Sequence, residues 1–154
     1  MKNRFMPLLL LTLVCTFFLS ILSNTAEAVT TNQWYTKASN FAEIKMAAKE
    51  KDQPYILFFY TDWCGYCKKM NKNYLSNEKI QQIISKYYRI KINPEKGEAE
   101  GNLAQEKGVQ GFPDFRVVHP NGISIKVHPF KRSGSLTINE FIQELEAALK
   151  GESE

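Results

Sequence analysis

Two cysteines separated by two residues are the groups in this chain whose spacing best suits chemistry. Cys64 and Cys67 follow an apolar run at 55–60 and precede a lysine-rich helical stretch, so they lie where a strand ends and a helix begins. Two thiols at this spacing can close a small disulfide ring. At a helix start, unsatisfied N–H groups and the helix dipole favour a thiolate. We therefore predict that Cys64 is a nucleophile and that Cys67 resolves the mixed disulfides it forms.

The cysteine count favours a reactive pair over a structural one. The sequence holds three cysteines, and Cys15 lies within an apolar run near the N-terminus. Lipid attachment at Cys15 would need small residues just before it, and Leu13 and Val14 are not small, so we interpret Cys15 as an ordinary apolar residue. A bridge between Cys64 and Cys67 would restrain very little of the unfolded chain. Redox chemistry therefore explains the pair better than stabilisation does.

Residues 1–28 have the pattern of a secretory signal peptide. Two basic residues precede an apolar run at 7–22, and Ala26-Glu27-Ala28 is a small-x-small cleavage pattern. We therefore predict a mature chain that begins at Val29 and a periplasmic or otherwise exported location. A retained membrane anchor is the alternative, although the apolar run is shorter than the about 20 residues that a spanning helix needs.

The composition is that of one globular domain. Hydrophobic residues make up 44% of the 154-residue chain and charged residues 23%, which excludes extended disorder and several membrane spans. The net charge is +4, and the only local basic cluster is formed by Lys68, Lys69 and Lys72. We therefore expect a single domain at 29–154, a monomer, and no nucleic-acid partner.

Hydrophobic periodicity predicts alternating strands and helices. The apolar run at 55–60 does not alternate, as expected for a central strand that is covered on both faces. Asn40 is a candidate cap for the first helix, and Thr137 with Glu140 has the capping-box pattern for the last. This order favours a mixed sheet with helices on both faces. The predicted elements are an extended lead-in at 29–37, helices at 40–51, 64–74, 77–87, 98–107 and from about 137, and further strands at 88–93, 115–118 and 123–127.

The motif Trp63-Cys64-Gly65-Tyr66-Cys67 after an apolar strand, with Gly111-Phe112-Pro113 further on, resembles the thioredoxin superfamily. The resemblance covers about residues 41–149. It implies an α/β, thioredoxin-like fold with a central mixed β-sheet of four to five strands flanked by helices on both faces. It also implies that Pro113 is cis, that its loop faces Cys64, and that the backbone at Phe112 pairs with an extended substrate segment.

The residues around the cysteines are candidates for substrate binding. Trp63 and Tyr66 flank Cys64 and are expected to form an apolar lip, together with Gly65, Phe112 and Pro113. The Gly-Tyr dipeptide between the thiols resembles that of the bacterial disulfide isomerases. Because Tyr66 adds no positive charge beside the thiolate, we expect an intermediate or reducing potential rather than a strongly oxidising one.

Two positions depart from the thioredoxin pattern. Phe58 stands where thioredoxins carry a buried aspartate that helps to move the proton of the second cysteine. Asp114 follows the family proline, where threonine or a small residue is usual. Two interpretations of Asp114 stay open: it transfers a proton for the resolving thiol, or it is a solvated acid at the end of a strand.

The sequence predicts neither a metal site nor a cofactor beyond a redox-active Cys64–Cys67 disulfide. Zinc prefers four ligands, and the only histidines are His119 and His128. Covalent haem would need a histidine at position 68, which is lysine. Thiolates bind Cu(I), but thioredoxin-like copper proteins tend to carry a histidine near the proline loop, and we expect none at that place here.

The favoured interpretation is an exported thiol–disulfide oxidoreductase, acting as a reductase or in disulfide interchange. Its partners would be protein thiols and disulfides and an upstream redox protein that restores its oxidation state. A disulfide isomerase or oxidase is the alternative within the enzyme class. A copper or apoprotein chaperone with a thioredoxin fold is the non-enzymatic alternative.

Overall fold

The sheet is built around the apolar run that follows the first helix. A computed structural model describes residues 28–152. The run forms the central strand, β2, which is parallel to β3 and antiparallel to β4. The full order is β1-β3-β2-β4-β5, which confirms the predicted mixed sheet and its upper strand count. The strands of this sheet are β1 (Trp34–Tyr35), β2 (Tyr55–Phe59), β3 (Arg89–Ile92), β4 (Asp114–Val118) and β5 (Ser124–Lys126).

Helices cover both faces of this sheet, as predicted. Ile56 and Phe58 of β2 point to one face, and Leu57 and Phe59 point to the other. All four side chains are fully buried, which explains why the sequence of this strand does not alternate. On the Phe58 face lie α2 (Gly65–Met70), α3 (Glu78–Ile84) and α5 (Ile138–Lys150), and on the Phe59 face lie α1 (Phe41–Glu50) and α4 (Glu98–Glu106).

Of the two helix caps predicted from the sequence, the structure confirms one and contradicts the other. Thr137 and Glu140 form the reciprocal capping box at the start of α5. The Asn40 side chain makes no capping hydrogen bond. The reason is that Asn40 already ends a 3-10 turn, with its N–H donating to Lys37 O at 3.1 Å. The chain therefore enters α1 in a helical conformation that needs no side-chain cap.

The predicted extended lead-in contains a short edge strand. Trp34 and Tyr35 form β1, which pairs in parallel with Arg89 and Ile90 of β3. The ring of Trp34 lies edge-on to Phe58 at 6.4 Å between centroids. The lead-in thereby closes one edge of the sheet and packs one aromatic residue against the face that carries the cysteines.

A second, two-stranded sheet separates β5 from α5 and is absent from the sequence prediction. Phe130–Lys131 forms β6 and Gly134–Ser135 forms β7, paired antiparallel. The Leu136 N–H donates to Pro129 O at 2.8 Å. Strands of two residues are too short to show a period-two pattern, so this hairpin left no sequence signal.

Residues 1–27 of the predicted signal peptide, which include Cys15, lie outside the described residues. Within residues 28–152, no helix has both the length and the apolar character that crossing a membrane requires. The domain boundary at residue 29 stays a prediction.

Candidate active site

The first cysteine is the N-cap of the helix that follows the central strand. Cys64 has an extended backbone, and its Sγ accepts a hydrogen bond from the Cys67 N–H at 3.0 Å. Its own carbonyl begins the helix by accepting from the Lys68 N–H at 3.1 Å. The sulfur therefore takes the place that a serine or aspartate oxygen takes at most helix starts. The same N–H and the helix dipole favour a negative charge on this sulfur when the disulfide is reduced.

The two cysteines form a disulfide, with an S–S distance of 2.11 Å and a Cα–Cα distance of 5.2 Å. Cys64 is 4% exposed and Cys67 is 1% exposed, so the second sulfur lies deeper. Both belong to the apolar cluster that contains Phe58. This burial order fits a first cysteine that meets the substrate and a second that acts from within the protein.

One side of the disulfide is formed by Trp63 and the proline loop. Trp63 is 68% exposed and lies edge-on to Phe112, with 6.2 Å between ring centroids. Its indole N–H donates to Glu95 Oε1 at 2.8 Å, and the neighbouring Asp62 pairs with Lys96 at 2.7 Å. The Phe112–Pro113 peptide bond is cis. The structure thus brings together the tryptophan and the loop that the sequence analysis grouped as one binding surface.

The other side of the disulfide is formed by Tyr66 and the β6–β7 hairpin. Tyr66 is 57% exposed, and its ring lies 5.0 Å from that of Phe130. The ammonium of Lys69 lies over the Tyr66 ring at 5.3 Å. Phe130 also contacts the rings of Tyr74 and His128, at 5.9 and 5.6 Å. Phe130 is the aromatic neighbour of the site that the sequence analysis missed.

Asp114 is a buried ion-pair partner, so its interpretation as a solvated acid is wrong. It is 4% exposed and accepts two hydrogen bonds from Arg116, one of them at 2.6 Å. Lys126 pairs with it at 3.0 Å. Burial alone would raise the pKa of Asp114, but the hydrogen bonds from Arg116 and Lys126 outweigh burial and hold it below its usual value. Asp114 as a proton carrier stays a prediction, and these partners favour its ionised form.

His128 lies beside the proline loop, contrary to the expectation that no histidine would do so. Antiparallel pairing of β5 with β4 continues in the Val127 N–H, which donates to Phe115 O at 3.0 Å. This pairing places His128 with Pro113 and Asp114 in the lining of one groove of about 360 Å³. Burial, followed by the nearby charge of Lys131, lowers the pKa of His128. Even so, no three His, Cys, Asp or Glu residues within 28–152 are grouped as a metal site would require.

Comparison with known proteins identifies the family. A family model described as a thioredoxin-like domain matches residues 41–149. The chain belongs to this thioredoxin-like family. The family and the fold that the sequence resemblance implied are therefore confirmed.

Relatives of this chain include a protein disulfide-isomerase and a thiol:disulfide interchange protein, each much longer than the segment that matches. A protein disulfide-isomerase of Hordeum vulgare is 36% identical over 80 residues, which cover 47% of this chain and 14% of that protein. The thiol:disulfide interchange protein DsbD of Haemophilus ducreyi is 28% identical over 123 residues, covering 78% of this chain and 21% of that protein. The matched segment is therefore about a fifth or less of the length of each of these two relatives.

Among solved structures, the oxidised C-terminal domain of Neisseria meningitidis DsbD superposes with a TM-score of 0.60. It is 25% identical and covers 75% of this chain and 99% of that domain. The match is thus with one whole domain rather than with a fragment.

Phe58 marks the main departure from the thioredoxin pattern inside the site. Its side chain is fully buried and contacts the rings of Tyr60 and Phe115, at 5.7 and 5.9 Å. An apolar ring therefore fills the position where thioredoxins carry their buried acid. Proton transfer for Cys67 cannot use a side chain at this position.

Proposed function

We propose that this chain is an exported thiol–disulfide oxidoreductase that reduces or exchanges disulfides in other proteins. The observation that carries the proposal is the Cys64–Cys67 disulfide at the start of α2, with the Cys67 N–H pointing at the Cys64 sulfur at 3.0 Å. The family and the relatives named as disulfide isomerases and interchange proteins support the same chemistry.

In the reduced protein, the Cys64 thiolate attacks one sulfur of a substrate disulfide. The substrate S–S bond breaks, a mixed disulfide with Cys64 forms, and the other substrate sulfur leaves as a thiolate. The Cys67 thiol then loses its proton and attacks the Cys64 sulfur, which releases the second substrate thiolate. Two electrons pass to the substrate, the Cys67 proton and one solvent proton protonate its thiolates, and the Cys64–Cys67 disulfide remains.

The surrounding residues bind the substrate in this proposal. Trp63 and Tyr66 offer exposed aromatic faces on either side of the thiol, with Gly65 between Cys64 and Tyr66. The backbone at Phe112, before cis-Pro113, pairs with an extended substrate segment. An upstream redox protein returns the disulfide to the dithiol, and the disulfide pair itself serves as the redox centre.

Export is the part of the proposal that rests on residues 1–28. Their basic start, apolar run and small-x-small end are the pattern of a signal peptide. N-terminal sequencing of the protein from the cell envelope should find a chain that begins at Val29. A chain that still begins at residue 1 and sediments with membranes would show the retained anchor instead.

Insulin reduction with dithiothreitol as the electron source tests the activity. The wild-type protein should speed precipitation of the insulin B chain, and Cys64→Ser should not. No acceleration by the wild type would contradict the proposal and favour a binding module. If the wild type restores the activity of scrambled ribonuclease efficiently but reduces insulin poorly, the result would instead favour an isomerase, the activity in the name of the Hordeum vulgare relative.

A further inference from the structure

The β6–β7 hairpin packs against α2 and the π-helical turn Asn71–Leu75 that continues it, and so forms a wall beside Tyr66. Tyr74 is buried, and its hydroxyl donates to Leu136 O at 2.6 Å. Its ring also packs on Phe130, which in turn packs on Tyr66. Three aromatic residues thus connect the core, the hairpin and the dipeptide between the cysteines.

Ion pairing holds the hairpin from its other side. Lys131 pairs with Glu144 of α5 at 2.8 Å. The hairpin is therefore held at both of its faces, by an aromatic contact and by a charge pair. A substrate that reaches Tyr66 also meets the hairpin.

This wall carries positive charge that the protein leaves without ion-pair partners. The Lys69 ammonium lies over the Tyr66 ring at 5.3 Å, and Lys72 lies one helical turn beyond Lys69. Arg132 lies in the turn that joins β6 to β7. All three side chains are exposed. Within residues 28–152, the ion pairs include none of these three cations. We call the surface formed by Tyr66, Phe130 and these three cations the hairpin surface.

The opposite side of the disulfide has a different charge. There the Glu95 carboxylate accepts the Trp63 N–H, and Asp62 is paired with Lys96. Hydrogen bonding and charge from Lys96 lower the pKa of Asp62, so this acid is ionised at neutral pH. The charge of Lys68 also lowers the pKa of Asp62. The Trp63 side therefore carries two acids and two cations, whereas the hairpin surface carries three cations that belong to no ion pair among the described residues.

We propose that the hairpin surface selects acidic protein segments. An apolar side chain of the bound segment packs on Tyr66 and Phe130, and its carboxylates lie near Lys69, Lys72 and Arg132. Aromatic residues and arginine are the residue types enriched in protein interfaces, and opposite charge speeds encounter and selects partners. The inference rests on the proposed function, because the segment must present its disulfide to Cys64.

Competition between two disulfide peptides tests this inference. Both carry the same cysteine spacing and the same apolar residues, and one has glutamates where the other has glutamines. The acidic peptide should have a kcat/KM about tenfold higher at low salt. This advantage should shrink as ionic strength rises from about 0.01 M to about 1 M, because the Debye length falls from about 30 Å to about 3 Å.

A matched pair of triple variants assigns the effect to the hairpin surface. Replacing Lys69, Lys72 and Arg132 by glutamine should bring the ratio of the two kcat/KM values close to one. Replacing Lys37, Lys45 and Lys49 by glutamine removes the same charge from exposed positions around α1, on the far face of the sheet, and should preserve the ratio.

The outcomes of the peptide assay distinguish a failure of this inference from a failure of the proposed function. Equal rates for the two peptides in the wild type would overturn the inference and leave the proposed function standing. So would an advantage of the acidic peptide that survives the Lys69, Lys72 and Arg132 variant. Failure to reduce either peptide would overturn the proposed function, and the inference with it.

Discussion

The two sides of the disulfide are both aromatic, but they are built and charged differently. On one side, Trp63 contacts Phe112 and donates to a carboxylate, that of Glu95. On the other, Tyr66 contacts Phe130 and lies under the ammonium of Lys69. The first side therefore carries acids whose charge is partly balanced by Lys96, and the second carries cations that belong to no ion pair in the part of the chain that the structure describes.

The difference shows how a shared redox centre can acquire its own preference. Trp63 and the proline loop are the parts that the thioredoxin resemblance named. Phe130 and Arg132 belong to the two-stranded hairpin before the last helix, which the resemblance did not name. In our proposals, the first set contacts the substrate beside the reactive sulfur, and the second selects the partner.

Asp114 supports both sides, and its loss should have the largest effect. Through Arg116 it is connected to Lys107 O at the end of α4, ahead of the proline loop. Through Lys126 it is connected to β5, ahead of the hairpin. Because Asp114→Asn leaves a buried guanidinium without its counter-charge, the free energy of unfolding at neutral pH should fall by about 3 kcal/mol, as urea denaturation would measure.

The pH dependence identifies this loss as electrostatic. The pKa of Asp114 is lowered in the folded protein. Its stabilisation is therefore complete above the ordinary carboxyl pKa of about 3.9 and disappears as the pH falls through the lower folded value. If the wild type exceeds Asp114→Asn in free energy of unfolding by the same amount at acidic and at neutral pH, the stabilisation by Asp114 is not electrostatic. Asp62→Asn is the control, because its pair with Lys96 is exposed and should contribute no measurable stability.

The same variant tests proton transfer. Insulin reduction by Asp114→Asn should be compared with that of the wild type across the pH range. If the two pH profiles have the same shape, Asp114 has no part in deprotonating Cys67.

Phe130→Ala should reduce stability more than any change on the Trp63 side. The ring is half-buried and packs on Tyr66 and Tyr74, so its removal should cost about 2 kcal/mol in the free energy of unfolding. Phe130→Leu keeps an apolar group there and should recover at least half. If Phe130→Ala is as stable as the wild type, the hairpin is not fixed by this contact.

Trp63→Ala should lower activity and leave stability almost unchanged. Since Trp63 is 68% exposed, the free energy of unfolding should hardly change. Its loss should lower kcat/KM for insulin about tenfold, or about 1.4 kcal/mol, because an exposed aromatic beside the thiol contacts the substrate. A stability loss as large as that of Phe130→Ala would break the distinction between the two sides.

Glu95→Gln should have the smallest effect. The amide oxygen still accepts the hydrogen bond from the Trp63 indole, so kcat/KM for a neutral peptide should change by less than about twofold. Glu95→Ala removes the acceptor and should have the larger effect of the two. If Glu95→Gln lowers kcat/KM as much as Glu95→Ala does, and by more than about twofold, the charge of Glu95 matters rather than its hydrogen bond.

Local signals predicted the parts of the structure that depend on neighbouring residues. The uninterrupted apolar run at 55–60 predicted a strand buried on both faces, and Thr137 with Glu140 predicted a capping box. The spacing of Cys64 and Cys67 predicted a ring that the structure contains. Each of these features is decided within a few residues.

Features that depend on distant pairing escaped the sequence. His128 reaches the proline loop only because β5 pairs with β4, and Asp114 is buried because Arg116 and Lys126 neutralise it. Asn40 had the right residue type for a cap, but the preceding 3-10 turn made a cap unnecessary. The hairpin is too short for periodicity to reveal.

Trapping the mixed disulfide tests the central claim most directly. A disulfide peptide mixed with reduced Cys67→Ser should give a stable one-to-one adduct, and peptide mapping by mass spectrometry should place the link at Cys64. Reduced Cys64→Ser, which keeps only the deeper sulfur, should give almost none in the same time. Equal adduct formation by both variants, or a link mainly at Cys67, would contradict the assignment of Cys64 as the attacking sulfur.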